Sequence, residues 1–103
     1  MIRLTVLYPQ PTDIDQFEKD YQAHIQLLHE KTGIPGDAKP YTITRFQQTP
    51  TGLPPYYLMF SMPFNSPEDL QSAMSSQGMQ EVDSDAQRIS TGGGPVMMIG
   101  NED

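Results

Sequence analysis

Any acid–base chemistry this chain performs near neutral pH falls to very few side chains. His24 and His29 are its only histidines, and it has no cysteine. His24 stands out by position. Ile14, Phe17, Tyr21, Ile25 and Leu28 recur at steps of three and four, the period of a helix that buries one face. At roughly 100° per residue, His24 falls within about 50° of the centre of that stripe, and His29 lies about 90° away. A histidine so placed can reach a pocket rim as a general acid or base, with the Tyr21 hydroxyl orienting it or a ligand. The same position also suits a core-edge histidine hydrogen-bonded to a backbone carbonyl or to water. His29 fits the last turns of the helix, where the dipole favours it. Two histidines five residues apart do not share a helical face, so no metal site is expected. No flavin, haem or nicotinamide signature is present, and no cofactor is expected.

Among the few cations, Arg3 and Arg45 fall inside strand-like runs. Arg45 in an apolar chamber would hold a carboxylate or phenolate, because its planar fork suits such anions. An intersubunit salt bridge or a snorkelling edge residue explains it as well. Tyr57 and Met59 are the residues expected to face that chamber, with Phe60 and Met62 replacing them if the strand register is opposite. Aromatic and methionine side chains there form an adaptable pocket for a small apolar or aromatic ligand, or an ordinary dimer core.

These residues sit on a regular succession of elements. Ile2 to Tyr8 alternates as a strand, with Ile2, Leu4, Val6 and Tyr8 on one side and Arg3, Thr5 and Leu7 on the other. After Pro9-Gln10-Pro11, Thr12 or Asp13 can cap the histidine-bearing helix, which should stop near Gly33. Tyr41 to Phe46 is a second strand. Gln47 to Pro55 reads as a hairpin connection, and Tyr56 to Met62 as a third strand that is apolar on both faces apart from Ser61. Ser66 caps a second helix with Pro67 at its first position; Gly78 is expected to interrupt it before a helical stretch over Met79 to Ile89. Gly92-Gly93-Gly94 lacks the lysine and spacing of a phosphate loop, and Val96 to Ile99 is the last strand. The order β-α-β-β-α-β is that of an α+β, ferredoxin-like domain, four antiparallel strands with helices on one face, spanning residues 1–103 as a single unit.

Composition narrows the partners. A net charge of −7 with six Lys and Arg argues against nucleic acid and against anionic membranes. No leader and no membrane span is visible, and a cytoplasmic location is expected. Helices on one face leave the other face of the sheet bare, and a bare apolar sheet favours a homodimer burying roughly 800 Å² per subunit.

The chain also resembles the EthD family, first linked to ethyl tert-butyl ether breakdown. The resemblance rests on Met1-Ile2-Arg3-Leu4-Thr5-Val6-Leu7-Tyr8-Pro9, on Phe17, Tyr21 and a nearby histidine, and on Pro54-Pro55-Tyr56-Tyr57. Ser66-Pro67-Glu68-Asp69-Leu70-Gln71 and Ser90-Thr91-Gly92-Gly93-Gly94-Pro95-Val96 add to it. It implies a dimeric α+β barrel, in which two subunits face their sheets together and enclose small-molecule pockets. Family members place the helix histidine four residues after the tyrosine, followed by Pro-Leu. Here Tyr21 to His24 is three residues, so His29 stands as a second candidate. Two functions are compatible with these residues. One is a binder of a small hydrophobic or aromatic metabolite in the catabolism of organic compounds, including an accessory to a partner oxygenase. The other is a cofactor-free oxidoreductase, decarboxylase or cyclase with His24 as acid/base.

Overall fold

Alternation in the first strand decides which residues meet the helices. In the computed structural model, which describes residues 1–103, β1 (Ile2–Pro9) occupies an inner position of a four-stranded sheet ordered β2-β3-β1-β4, with every pair antiparallel. The other strands are β2 (Thr42–Arg45), β3 (Tyr56–Phe64) and β4 (Val96–Asn101). Helices α1 (Ile14–Thr32), α2 (Pro67–Met74) and α3 (Gln77–Ile89) complete the chain. The topology is that of the ferredoxin-like α+β fold. Leu4 and Tyr8 of β1 and Leu58, Phe60 and Met62 of β3 are buried. Tyr8, Leu58, Phe60 and Met62 meet Phe17, Tyr21 and Leu28 of α1 and Met79, Val82, Ala86 and Ile89 of α3 in two core clusters.

Helix starts follow local chemistry. The Asp13 carboxylate accepts from the Gln16 amide, Ser66 from Asp69, and Ser76 from Met79, each at 3.1 Å. Asp13, not Thr12, is therefore the first cap. Gly33 ends α1 in the left-handed region at φ 75°.

Two details depart from the sequence reading. The break between α2 and α3 lies at Ser75–Ser76, and Gly78 is inside α3. A Cβ at Gly78 would lie 2.2 Å from the Lys31 carbonyl oxygen, so glycine there lets α3 approach the end of α1 closely. In β3 the strict alternation fails at one place. Tyr8 pairs with Leu58 but Pro9 with Tyr56, which leaves Tyr57 as an extra residue in β3. The Tyr57 ring then packs edge-on against Phe17 at 5.7 Å, on the same side as its neighbour Leu58.

The triple glycine is a packing device. Thr91 Oγ1 accepts from the Thr12 amide at 3.1 Å, and a Cβ on Gly92 would stand 1.7 Å from the Gln10 carbonyl oxygen. Substitution Gly92→Ala therefore forces two connections apart and should cost about 2 kcal/mol, read as a lower urea midpoint with an unchanged slope. An unchanged midpoint would show that this approach is not a tight constraint.

Candidate functional site

His24 projects from the middle of α1 toward α3 and is 5% exposed. A buried imidazole needs partners for its nitrogens. Nδ1 lies 2.8 Å from Asp85 Oδ2 of α3, and Nε2 lies 3.5 Å from the Tyr8 hydroxyl of β1. Asp85 is held in turn by Arg88, one turn later, through Nε at 3.0 Å and Nη2 at 2.8 Å. The elements explain the convergence. Met79, Val82, Ala86 and Ile89 form the buried stripe of α3, and Asp85 flanks that stripe on the side facing α1.

The electrostatics assign the protons. Burial lowers the His24 pKa below its ordinary value, and this outweighs the raising effect of the Asp85 hydrogen bond and charge. A neutral His24 donates from Nδ1 to the carboxylate, which leaves the Nε2 lone pair free to accept. Burial also raises the Tyr8 hydroxyl well above the ordinary phenol range, with Asp85 and Asp83 adding to the effect, so Tyr8 stays a hydrogen-bond donor. Burial tends to raise Asp85, yet the hydrogen bonds from His24 and Arg88 prevail and hold it below the usual carboxylate value.

Beside this trio lies a cavity of about 500 Å³ between the sheet and the helices, lined by 17 residues, of which 11 are hydrophobic. Tyr8 and His24 supply polar groups within it, and Phe60, Met62, Met79 and Met97 form much of its apolar wall. Gln80, Asp83, Ser84 and Gln87 of α3 lie along its rim. No lysine or arginine lines it.

The structure separates the residues that the sequence singled out. His24 is at the cavity, but the hydroxyl beside its Nε2 belongs to Tyr8. Tyr21 lies next to His24 with ring centroids 5.7 Å apart; its hydroxyl is buried without a hydrogen-bond partner. Arg45 is outside the cavity, where its fork grips Glu18 with two bonds of 2.8 Å. Tyr57 donates to the same Glu18 carboxylate, which the Arg45 hydrogen bond holds below its ordinary pKa. These three residues tie α1 to the sheet. The pairing of Met59 with Leu7 and Thr44 puts Met59 on the open face of the sheet, while the opposite-register pair Phe60 and Met62 lines the cavity. His29 Nδ1 donates to the Pro35 carbonyl at 3.0 Å and its Nε2 is 2.7 Å from the Tyr41 hydroxyl, which fastens the loop after α1. Asp85 and Tyr8 escaped the sequence reading. The only local sign of Asp85 was its place beside Val82, Ala86 and Ile89.

Fold and site together define a ferredoxin-like α+β domain with a cavity between sheet and helices and a buried histidine. The EthD domain model matches residues 9–92, and the chain belongs to the EthD family. An EthD family protein from Bacillus halodurans is 31% identical, with a TM-score of 0.83 over 100% of this chain and 99% of that one. Two dimeric ferredoxin-like proteins of unknown function share the fold alone. The one from Jannaschia sp. is 10% identical, with a TM-score of 0.71 over 99% of this chain and 100% of its own. The one from Thermobifida fusca is 11% identical, with a TM-score of 0.63 over 95% and 87%. No curated protein matches the chain significantly. No helix is long and apolar enough to cross a membrane.

Two measurements follow from this geometry. Between the lowered folded pKa of His24 and its ordinary value of 6.5, the unfolded chain binds the extra proton, so stability rises with pH across that window. Stability should therefore fall as the pH is lowered from about 7.5 to about 5.5, and urea midpoints of His24→Gln should not share that fall. Equal pH slopes in the two proteins would refute the assignment. Tyr21→Phe removes a buried hydroxyl that has no partner. It should leave the stability unchanged or raise it by up to about 1 kcal/mol, and a clear loss of stability would reveal a bond to that hydroxyl.

Proposed function

We propose that the cavity binds a small, neutral, apolar or aromatic molecule and that His24 exchanges a proton with it, in a homodimeric protein acting in the catabolism of organic compounds. The observation that carries this reading is the half-satisfied imidazole. Nδ1 is engaged by Asp85, while Nε2 has only a long contact to Tyr8 at the wall of a cavity of about 500 Å³. A core-edge histidine needs no such cavity at its free nitrogen.

The chemistry follows from the protonation states. An O–H or activated C–H of the bound molecule gives its proton to His24 Nε2, and the electron pair stays on the molecule. The Tyr8 hydroxyl, kept protonated by burial, turns to donate to the oxygen where that charge collects. Asp85 stabilises the imidazolium formed, and Arg88 holds Asp85 in place. A lining without Lys or Arg offers nothing to a carboxylate, and Asp83 at the rim repels one. The two ferredoxin-like neighbours described as dimeric support the homodimer.

Binding tests this reading directly. 2-Naphthol should bind about tenfold more tightly than naphthalene, the equivalent of one hydrogen bond of ~1.4 kcal/mol. 2-Naphthoate should bind worst. His24→Phe should abolish the naphthol advantage while retaining naphthalene. Tightest binding of the naphthoate, or equal binding of naphthol and naphthalene to the native protein, would reject the proposal.

A further inference from the structure

β4 is exposed on both of its faces. Val96 is 36%, Met97 41%, Met98 48% and Ile99 57% exposed. Pairing with β1 sets their directions. Met97 opposite Val6 and Ile99 opposite Leu4 point to the helix side, while Val96 opposite Leu7 and Met98 opposite Thr5 point to the open face. No helix covers Met97 or Ile99, although Met97 and the preceding Pro95 form one wall of the cavity. Across the opening stands α3, with Gln80, Ser84 and Gln87 solvent-exposed. The cavity is thus open along the cleft between α3 and β4.

We propose that a second copy of this chain wraps the β4 edge as well as the open face, and so supplies the missing wall of the cavity. The inference rests on the ligand-site and homodimer reading above and extends it, since packing of open sheet faces alone would cover Val96 and Met98 but leave Met97 and Ile99 bare. Three observations select a second copy. The four side chains expose roughly 300 Å² on one strand, already the size of the largest apolar patch on a typical monomer. Leu7 and Met59 extend that patch across the open face, toward the roughly 800 Å² per partner that a stable interface buries. In a chain of net charge −7, Pro95 to Gly100 carries no charge, so two copies can meet there without like-charge repulsion. The outer edge of β4 also lacks the lysine, internal proline or bulge that keeps edge strands apart. Because the partner forms part of the ligand site, ligand binding and dimerisation are coupled, and each strengthens the other by the same factor.

The probe is 1-N-phenylnaphthylamine, a neutral fluorophore of suitable size, and the test pair is the native protein and the double variant Met98→Asp/Ile99→Asp. Neither substituted residue lines the cavity, and both are exposed in the single chain. The variant should sediment as a monomer with a native circular dichroism spectrum and bind the probe at least tenfold more weakly. In the native protein, saturating probe should lower the dimer dissociation constant by at least tenfold, a measurement that needs no variant. A folded monomer that binds the probe as well as the dimer would overturn the shared wall and leave the ligand site intact. A variant that stays dimeric, or a native dimer constant indifferent to the probe, would also overturn it. A native protein that fails to bind the probe would remove the ligand-site reading and this inference with it.

Discussion

The constraint on which the structure turns is the need to bury an imidazole without leaving its ring unpaired. His24 sits on the core-facing side of α1 and has lost nearly all its water. An unpartnered ring N–H there would cost about 1–3 kcal/mol. Asp85 meets that need from α3, and in doing so it fixes how the two helices face one another. The close approach of Gly78 to the Lys31 carbonyl fixes the same pair of helices at a second point. The two contacts, one polar and one steric, leave α1 and α3 little freedom to slide.

Aromatic packing sets the spacing between these helices and the sheet. Tyr8 meets Phe17 and Tyr21 edge-on, each at 5.6 Å, and Phe17 stacks on Tyr21 at 5.7 Å. Each ring buries on the order of 150–250 Å², a gross gain of roughly 4–6 kcal/mol before entropy. The other cluster joins Tyr41 and Phe60, with ring centroids 5.2 Å apart, to Leu28, Met62, Met79 and Val82. The cavity lies alongside them. Walls that face an open cleft instead of packed neighbours forfeit dispersion contacts, which is why an occupant would stabilise the fold as well as be bound by it.

The order of elements was legible because each rests on local chemistry: alternation in β1, the three-and-four stripe of α1, and Ser66-Pro67 at the start of α2. His24 was legible for the same reason. Its partners were not, because both come from remote elements. Asp85 lies sixty-one residues away in a chain whose acids read as a solvated surface, and Tyr8 looked like one more apolar face of a strand. Tyr57 misled for a different reason. The extra residue in β3 turns its ring to the helix side next to Leu58, and a period-two reading cannot foresee a bulge. Arg45 showed its usefulness for binding a planar carboxylate, and the structure satisfies that with Glu18 of the same chain. A sequence lists charges but does not show which of them are already paired.

That pairing shapes what remains for the cavity. With Arg45 tied to Glu18, Arg88 to Asp85 and Lys31 to Glu81, these cations are committed to carboxylates of the chain itself, and none of them lines the cavity. A largely apolar site without a cation disfavours an ionised guest, because moving its charge out of water is not offset. A proton passed from a neutral guest to His24 avoids that penalty. The imidazolium forms next to the Asp85 carboxylate that already faces it, and the charge left on the guest lies within reach of the Tyr8 hydroxyl. Asp85 therefore serves folding and chemistry by one interaction: it satisfies Nδ1 in the resting protein and stabilises the cation when Nε2 takes up a proton. Burial lowers the resting pKa of His24 enough to keep its lone pair available, and the carboxylate limits how far that lowering goes.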